Sequence, residues 1–240
     1  MTNAQGVVIG LMGKHPGYGD FLQVGVSEPV AKMLIGWIDH SFNGLRDSMG
    51  NDWPAFWDHA QDLRFWVGAG WAGRTLAGVL RPSRDKVGRR YPLLLFAEGA
   101  LVPPPITAPD QQIWETLDQH MADMQAGQGG RALLEGLSLD LQPEPQAVGP
   151  TIWAHRNDGH LTALFQSAGP VDAARAQLIR SHWWAPGHDG KAAVWLACPG
   201  LPQPQALAWL LGGVVAEQAT PQDPLPEIPL PVENNDPRDA

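Results

Sequence analysis

The sequence has a single cysteine, Cys198, so no internal disulfide can brace the fold. It lies in the apolar run Ala192 to Cys198 and reads as a buried, inert thiol, which suits a reducing compartment. Long apolar runs are missing too. No stretch approaches the roughly 18 residues needed to span a membrane. The apolar segment Val7 to Met12 is too short for a leader, and no basic residues precede it. The expectation is a cytoplasmic protein with no membrane insertion. Positive charge is scarce: 16 Lys and Arg stand against 25 Asp and Glu, a net charge of -9. That balance argues against nucleic acid as a partner.

The marks of familiar catalytic loops are absent as well. Gly13-Lys14 lacks the earlier glycine and the following hydroxyl of a phosphate loop, because Val8 and His15 occupy those places. Gly17 and Gly19 lack the third glycine of a dinucleotide fingerprint. The reading left for residues 13 to 21 is a tight loop with glycines at positive φ. Ser83 has no flanking glycines and so sits in no nucleophile elbow. The pairs His155/His160 and His182/His188 lack the spacing of a zinc helix and have no Cys or carboxylate pair beside them. No metal or cofactor is expected, and no catalytic residue.

What is present is a large apolar fraction, 44%, enough for a sizeable core. Eleven Trp are spread from Trp37 to Trp209, which suits core or interface anchors better than one aromatic cage. Basic charge is concentrated: six of the 16 Lys and Arg fall between Arg74 and Arg90. That segment has two apolar arms, Leu76 to Leu80 and Tyr91 to Phe96, which read as strands around a cationic loop. On an acidic chain such a loop carries a local positive potential, held by two strands.

Leu63 to Val67 adds a strand just before the first arm. Three strands on short connections must run antiparallel, since a parallel pair needs a long crossover. Gly6 to Met12 and Ala192 to Cys198 are further strands. Ser27-Glu28-Pro29 opens a helix, with Ser27 as cap, carrying Val30, Met33, Leu34, Trp37, Ile38, Phe42 and Leu45 on one face and ending near Gly50. Other helices are expected at Trp53 to His59, Gln111 to Gln125, Arg131 to Leu137, Val171 to Ile179 and Pro204 to Glu217. Asp158-Gly159 predicts a hairpin between Thr151 to His155 and Leu161 to Phe165. Residues 143 to 150 read as a linker, yet neither side has enough strands to close a core alone. The expected fold is α/β of the α+β type, a central and mainly antiparallel sheet flanked by helices as an α/β/α sandwich. It forms one domain over residues 1–217. Residues 218–240, with six prolines and scattered acids, read as a disordered tail.

Two motifs together resemble a known family. The first is Gly13-Lys14-x-Pro16-x-x-Gly19-Asp20-Phe21. The second is Gly78-Val79-Leu80-x-Pro82-Ser83-x-Asp85-x-Val87-Gly88-Arg89-x-Tyr91-Pro92-Leu93. Ser181-x-Trp183-Trp184 and Gly200-Leu201-Pro202 are looser matches. The chain resembles the TagF family, also called ImpM, associated with the bacterial type VI secretion system. The resemblance implies a soluble cytoplasmic accessory factor with an α/β fold. It also implies post-translational repression of the secretion apparatus through binding to its forkhead-associated scaffold protein, against a kinase-driven activation pathway. Some members are fused to a phosphatase domain, and the metal-binding acids of such a domain have no counterpart here. The family has no accepted catalytic residues to carry over.

The residues and the resemblance meet at the cationic loop. Arg81, Arg84, Arg89 and Arg90 are the candidate partner surface, able to pair with carboxylates or phosphates. Pro82, Gly88 and Pro92 would fix the loop's shape and lower the entropy lost on binding. The alternative for Arg89 is an internal salt bridge to Asp20 or Asp85. Two other functions remain open at this level: an enzyme with Asp20, Asp85 and Ser83 lining an anion or metal pocket, and a structural subunit of the secretion machine. Oligomeric state is not readable from the sequence.

Overall fold

A computed structural model of the chain describes residues 6–145, 151–188 and 190–215. Its centre is the antiparallel meander expected from the short connections. The strands are β1 (Val8–Gly13), β2 (Leu22–Val24), β3 (Leu63–Val67), β4 (Leu76–Arg81), β5 (Leu93–Glu98), β6 (Arg180–Ala185) and β7 (Val194–Pro199). They form one sheet in the order β2-β1-β5-β4-β3-β6-β7. Every neighbouring pair is antiparallel.

Helices cover both faces. They are α1 (Glu28–Met49), α2 (Trp53–Asp58), α3 (Ala69–Ala72), α4 (Gln112–Asp123), α5 (Leu161–Gln177) and α6 (Pro204–Gly212). The pleat sends alternate side chains to opposite faces. Met12, Phe65, Leu94, Phe96 and Trp183 share one core with residues of α1, α2 and α6. Leu11, Trp66, Val79, Leu95 and Trp184 share the other with residues of α4 and the 3-10 turn Gly130–Leu134. The architecture is therefore the expected α/β/α sandwich. Burial on two faces explains why β5 reads as a continuous apolar run and not as an alternation.

α1 is legible in local terms. Glu28 and Pro29 fill its first turn, and Gly50 ends it at φ 54°. Val30, Leu34, Ile38, Phe42 and Leu45 are buried at helical spacing. Ser27 occupies the N-cap position, but its hydroxyl makes no capping bond. Its backbone N–H instead donates to the Glu98 carboxylate at 3.2 Å. The other foreseen helices appear with shifted ends, and Arg131 to Leu137 is the 3-10 turn instead of an α-helix.

The hairpin expected at 151–165 is a misreading. Residues 151–160 carry no strand, and Leu161 begins α5, which also absorbs the short helix expected from Val171. The Asp158 side chain accepts from His160 N–H, and the His160 ring accepts from Ala163 N–H as the helix N-cap. The turn signal at Asp158-Gly159 is thus the lead into a helix. Strands β2 and β6 were not expected: one has only three residues, and the other is Arg-Ser-His-Trp-Trp-Ala, with no clear alternation. In the expected linker, Glu144 accepts from Thr75 N–H at 3.1 Å, while residues 146–150 lie outside the described residues. So does the segment read as a tail.

Candidate partner-binding site

The two motifs emerge at one end of the sheet because β1 and β4 both end beside the start of β5. Gly13 and Arg81 each pair with Leu93. The loop after β1 and the loop between β4 and β5 therefore lie together. Gly13 sits at φ 122°, and a Cβ there would stand 2.0 Å from the Pro92 carbonyl oxygen, so only glycine fits. Gly17 and Gly19, expected at positive φ, do not adopt it. Gly88 does, at φ 88°, in a turn closed by its N–H donating to Asp85 O at 2.9 Å.

Asp85 holds the two loops together. Its side chain is fully shielded from solvent. One carboxylate oxygen accepts from the backbone N–H groups of Val87 (3.1 Å) and Arg89 (2.9 Å). The other accepts from Lys14 Nζ (2.9 Å) and Arg89 Nε (2.6 Å). Burial pushes its pKa up, but the bonds from Lys14 and Arg89 outweigh that and hold the carboxyl well below the usual range. Lys86 N–H donates to Tyr18 O at 2.8 Å, and Arg89 Nη2 donates to Gly19 O at 2.6 Å. Phe21 meets Tyr91 edge to face at 5.5 Å. The Tyr91 hydroxyl donates to Asp39 at 3.3 Å, and burial together with the Asp39 charge holds its pKa well above the ordinary tyrosine value. Ser83 is buried, and its backbone oxygen accepts from Tyr91 N–H (3.0 Å) and Trp57 Nε1 (2.9 Å).

The arginines do not form the open cationic bulge expected from the charge pattern. Arg81 donates to Asp62 at 2.7 Å and to Met121 O at 2.9 Å. It lines a cavity of 430 Å³ with Arg64 and Asp118. Arg84 and Arg90 both bond Asp58 from α2, at 2.8 and 2.9 Å. The Arg90 hydrogen bond holds the Asp58 carboxyl below its usual pKa against desolvation. Arg89 takes the internal partner Asp85. Four arginines thus share three carboxylates, because the fold brings α2 and the β3 lead beside the loop. Lys14, Asp58 and Asp62 are the residues whose part sequence reasoning missed. Their sequence separation gave no signal of proximity.

The pairing leaves much of the loop open. The Arg84 and Arg89 side chains remain 48% and 61% exposed while bonded. Lys86 is exposed, and among the described residues it has no side-chain partner. Val87 at the loop tip is 72% exposed and Phe21 38%. Pro16 and Asp20 are exposed beside them. The structure does not make a catalytic pocket of Asp20, Asp85 and Ser83, since the Asp85 oxygens are fully engaged within the protein. Among the described residues, no group of three or more His, Cys, Asp or Glu could hold a metal ion. No described helix is long and apolar enough to cross a membrane. Trp183 and Trp184 lie on β6, buried in the two opposite cores, and are not brought to the loops.

Residues 10–137 match the family described as TagF N-terminal domain, Type VI secretion system-associated. Both loops fall inside that span, and β6 and β7 lie beyond it. No curated protein matches the chain. Among solved structures, the crystal structure of PA0076 from Pseudomonas aeruginosa PAO1 is similar, with a TM-score of 0.64 and 21% identity. The likeness covers 90% of this chain and 100% of that one, and at this identity it is one of fold.

Proposed function

The chain belongs to the TagF family of type VI secretion-associated proteins, and from that premise we propose that it is a cytoplasmic, non-enzymatic regulator. It represses the secretion apparatus after translation by binding a forkhead-associated scaffold protein through the joined loops 14–21 and 82–92. The observation that carries this reading is the state of Asp85. A carboxylate shielded from water and saturated by four donors is a brace, with no free lone pair aimed at a substrate. It stiffens a surface on which Arg84, Lys86, Val87, Arg89 and Phe21 stay exposed. Such a surface mixes apolar tips with guanidinium groups and loses little conformational entropy on docking. Arg84 and Arg89 contact the partner, while Arg81 and Arg90 are structural.

The test is calorimetric titration of the purified scaffold with the wild-type chain and with the double variant Arg84→Ala/Lys86→Ala, which leaves the Asp85 brace intact. The expected result is a loss of affinity of roughly tenfold or more, with an unchanged circular dichroism spectrum. Unchanged affinity in the folded variant removes the assignment of the surface. No binding by the wild-type chain removes the partner.

A further inference from the structure

The two edges of the sheet are finished differently. β2 has only three residues, and the 3-10 turn Gly130–Leu134 packs beside its Leu22 and Val24, so that edge is short and covered. β7 is six residues long and, among the described residues, pairs only with β6. Open edges are normally guarded by charge, by proline or by a bulge, because their unpaired N–H and C=O groups recruit further strands. β7 has no charged residue, its one proline is its last residue, Pro199, and its register with β6 is unbroken, so Val194 to Cys198 lie unguarded. Just before β7, the Lys191 side chain folds back to donate to His59 O at 3.0 Å, and the backbone of Lys191 and Ala192 pairs with Val215 and Val214 after α6, a pairing that stops short of the strand.

The lack of charge extends well past the strand. Residues 192–216 contain no Asp, Glu, Lys or Arg, the longest such run in the chain. It spans β7 and α6, which pack together. Trp195, 49% exposed, stands on one face of the strand. Trp209, 44% exposed, stands on the helix behind it.

We infer that the β7 edge is a self-association surface, on which a second copy of this chain pairs its own β7 antiparallel about a twofold axis and continues the sheet. Three observations select a second copy. The chain carries a net charge of -9, so two copies repel over most of their surfaces and meet best where charge is absent. In a twofold antiparallel pair a strand faces itself, and any charge near its centre would face a like charge; β7 has none. The flanking tryptophans add apolar area to the backbone hydrogen bonds, as strand-addition interfaces require.

The test is analytical ultracentrifugation and hydrogen exchange of the full chain from about 1 to 100 μM. The expected result is a monomer–dimer equilibrium in that range, with amides of 194–198 exchanging more slowly as concentration rises. Trp195→Glu and Ala197→Lys should each weaken association roughly tenfold or more by placing a charge in the joint. Phe165→Glu, on the exposed side of α5, should leave it unchanged. Hydrogen exchange on the unaltered chain keeps the test valid should either β7 variant unfold. Four results overturn the inference: a monomer throughout, a dimer whose β7 amides do not respond to concentration, a dimer dispersed by Phe165→Glu, or concentration-independent β7 protection that vanishes when residues 216–240 are removed. The last would mean that the chain's own C-terminal segment covers the edge.

Discussion

The clasp formed by loops 14–21 and 82–92 and the flank formed by β7 and α6 are held by different physics. The clasp is knit by ions: Asp85 with Lys14 and Arg89, Asp58 with Arg84 and Arg90, Asp62 with Arg81. The flank has no charged side chain in its own sequence and is held by Leu207, Leu210, Leu211 and Val194 in the core under α1. On the neighbouring strand β6, His182 stacks against Trp195 with ring centres 5.9 Å apart. The difference teaches that basic residues clustered in a sequence need not make a basic surface. Here the fold supplies acids to most of them and spends the charge on stiffness.

The sharpest way to break the clasp while sparing the flank is Gly13→Ala. The new Cβ would meet the Pro92 carbonyl at 2.0 Å, at a φ that L-residues avoid. A loss of about 3 kcal/mol or more is expected, measured by urea unfolding. Asp85→Asn ranks next. It leaves Lys14 and Arg89 without their anion, and a clear drop in the thermal midpoint is expected, together with faster hydrogen exchange at 82–92 and no change at 194–199.

Acid should separate the two regions. The folded state keeps His182 neutral down to a pKa of about 4, because burial and then the Arg180 charge disfavour its protonation. The unfolded chain takes up that proton near the ordinary value of 6.5. The unfolded form therefore binds more protons as pH falls from 6.5 to 4, and stability declines across that window. Replacing His182 with Phe should flatten the decline, a difference on the order of 2 kcal/mol. Asp85 behaves otherwise. Its depressed folded pKa means that its contribution is complete above the unfolded carboxylate range near pH ~4 and fails only as pH drops through the lower folded value. Hydrogen exchange followed against pH should thus show β6 and β7 loosening before the clasp. The smallest effect is expected for Arg84→Ala. Its ion pair is half exposed, and the unfolding midpoint should hardly move.

The parts of the fold visible in the sequence were those with local causes. The meander from Leu63 to Glu98 followed from short connections, and α1 from its Pro29 start and Gly50 stop. α5 was hidden because Asp158-Gly159 serves a hairpin and a helix lead equally well. Its apolar residues Leu161, Phe165 and Val171 are exposed and show no helical face. β6 was hidden because both its faces are buried by large rings, which erases alternation. At the site, the motif residues and the bracing of the loop were legible. The ion pairs of Arg84 and Arg90 were not, since Asp58 lies 26 and 32 positions away in sequence.

The most direct measurement is hydrogen exchange of the chain alone and with saturating forkhead-associated scaffold protein. Slowed exchange at 14–21 and 82–90, with residues 194–199 unaffected by the scaffold, is the result expected. Protection confined to α5 or β7, with the clasp unchanged, would contradict the assignment of the clasp as the binding surface.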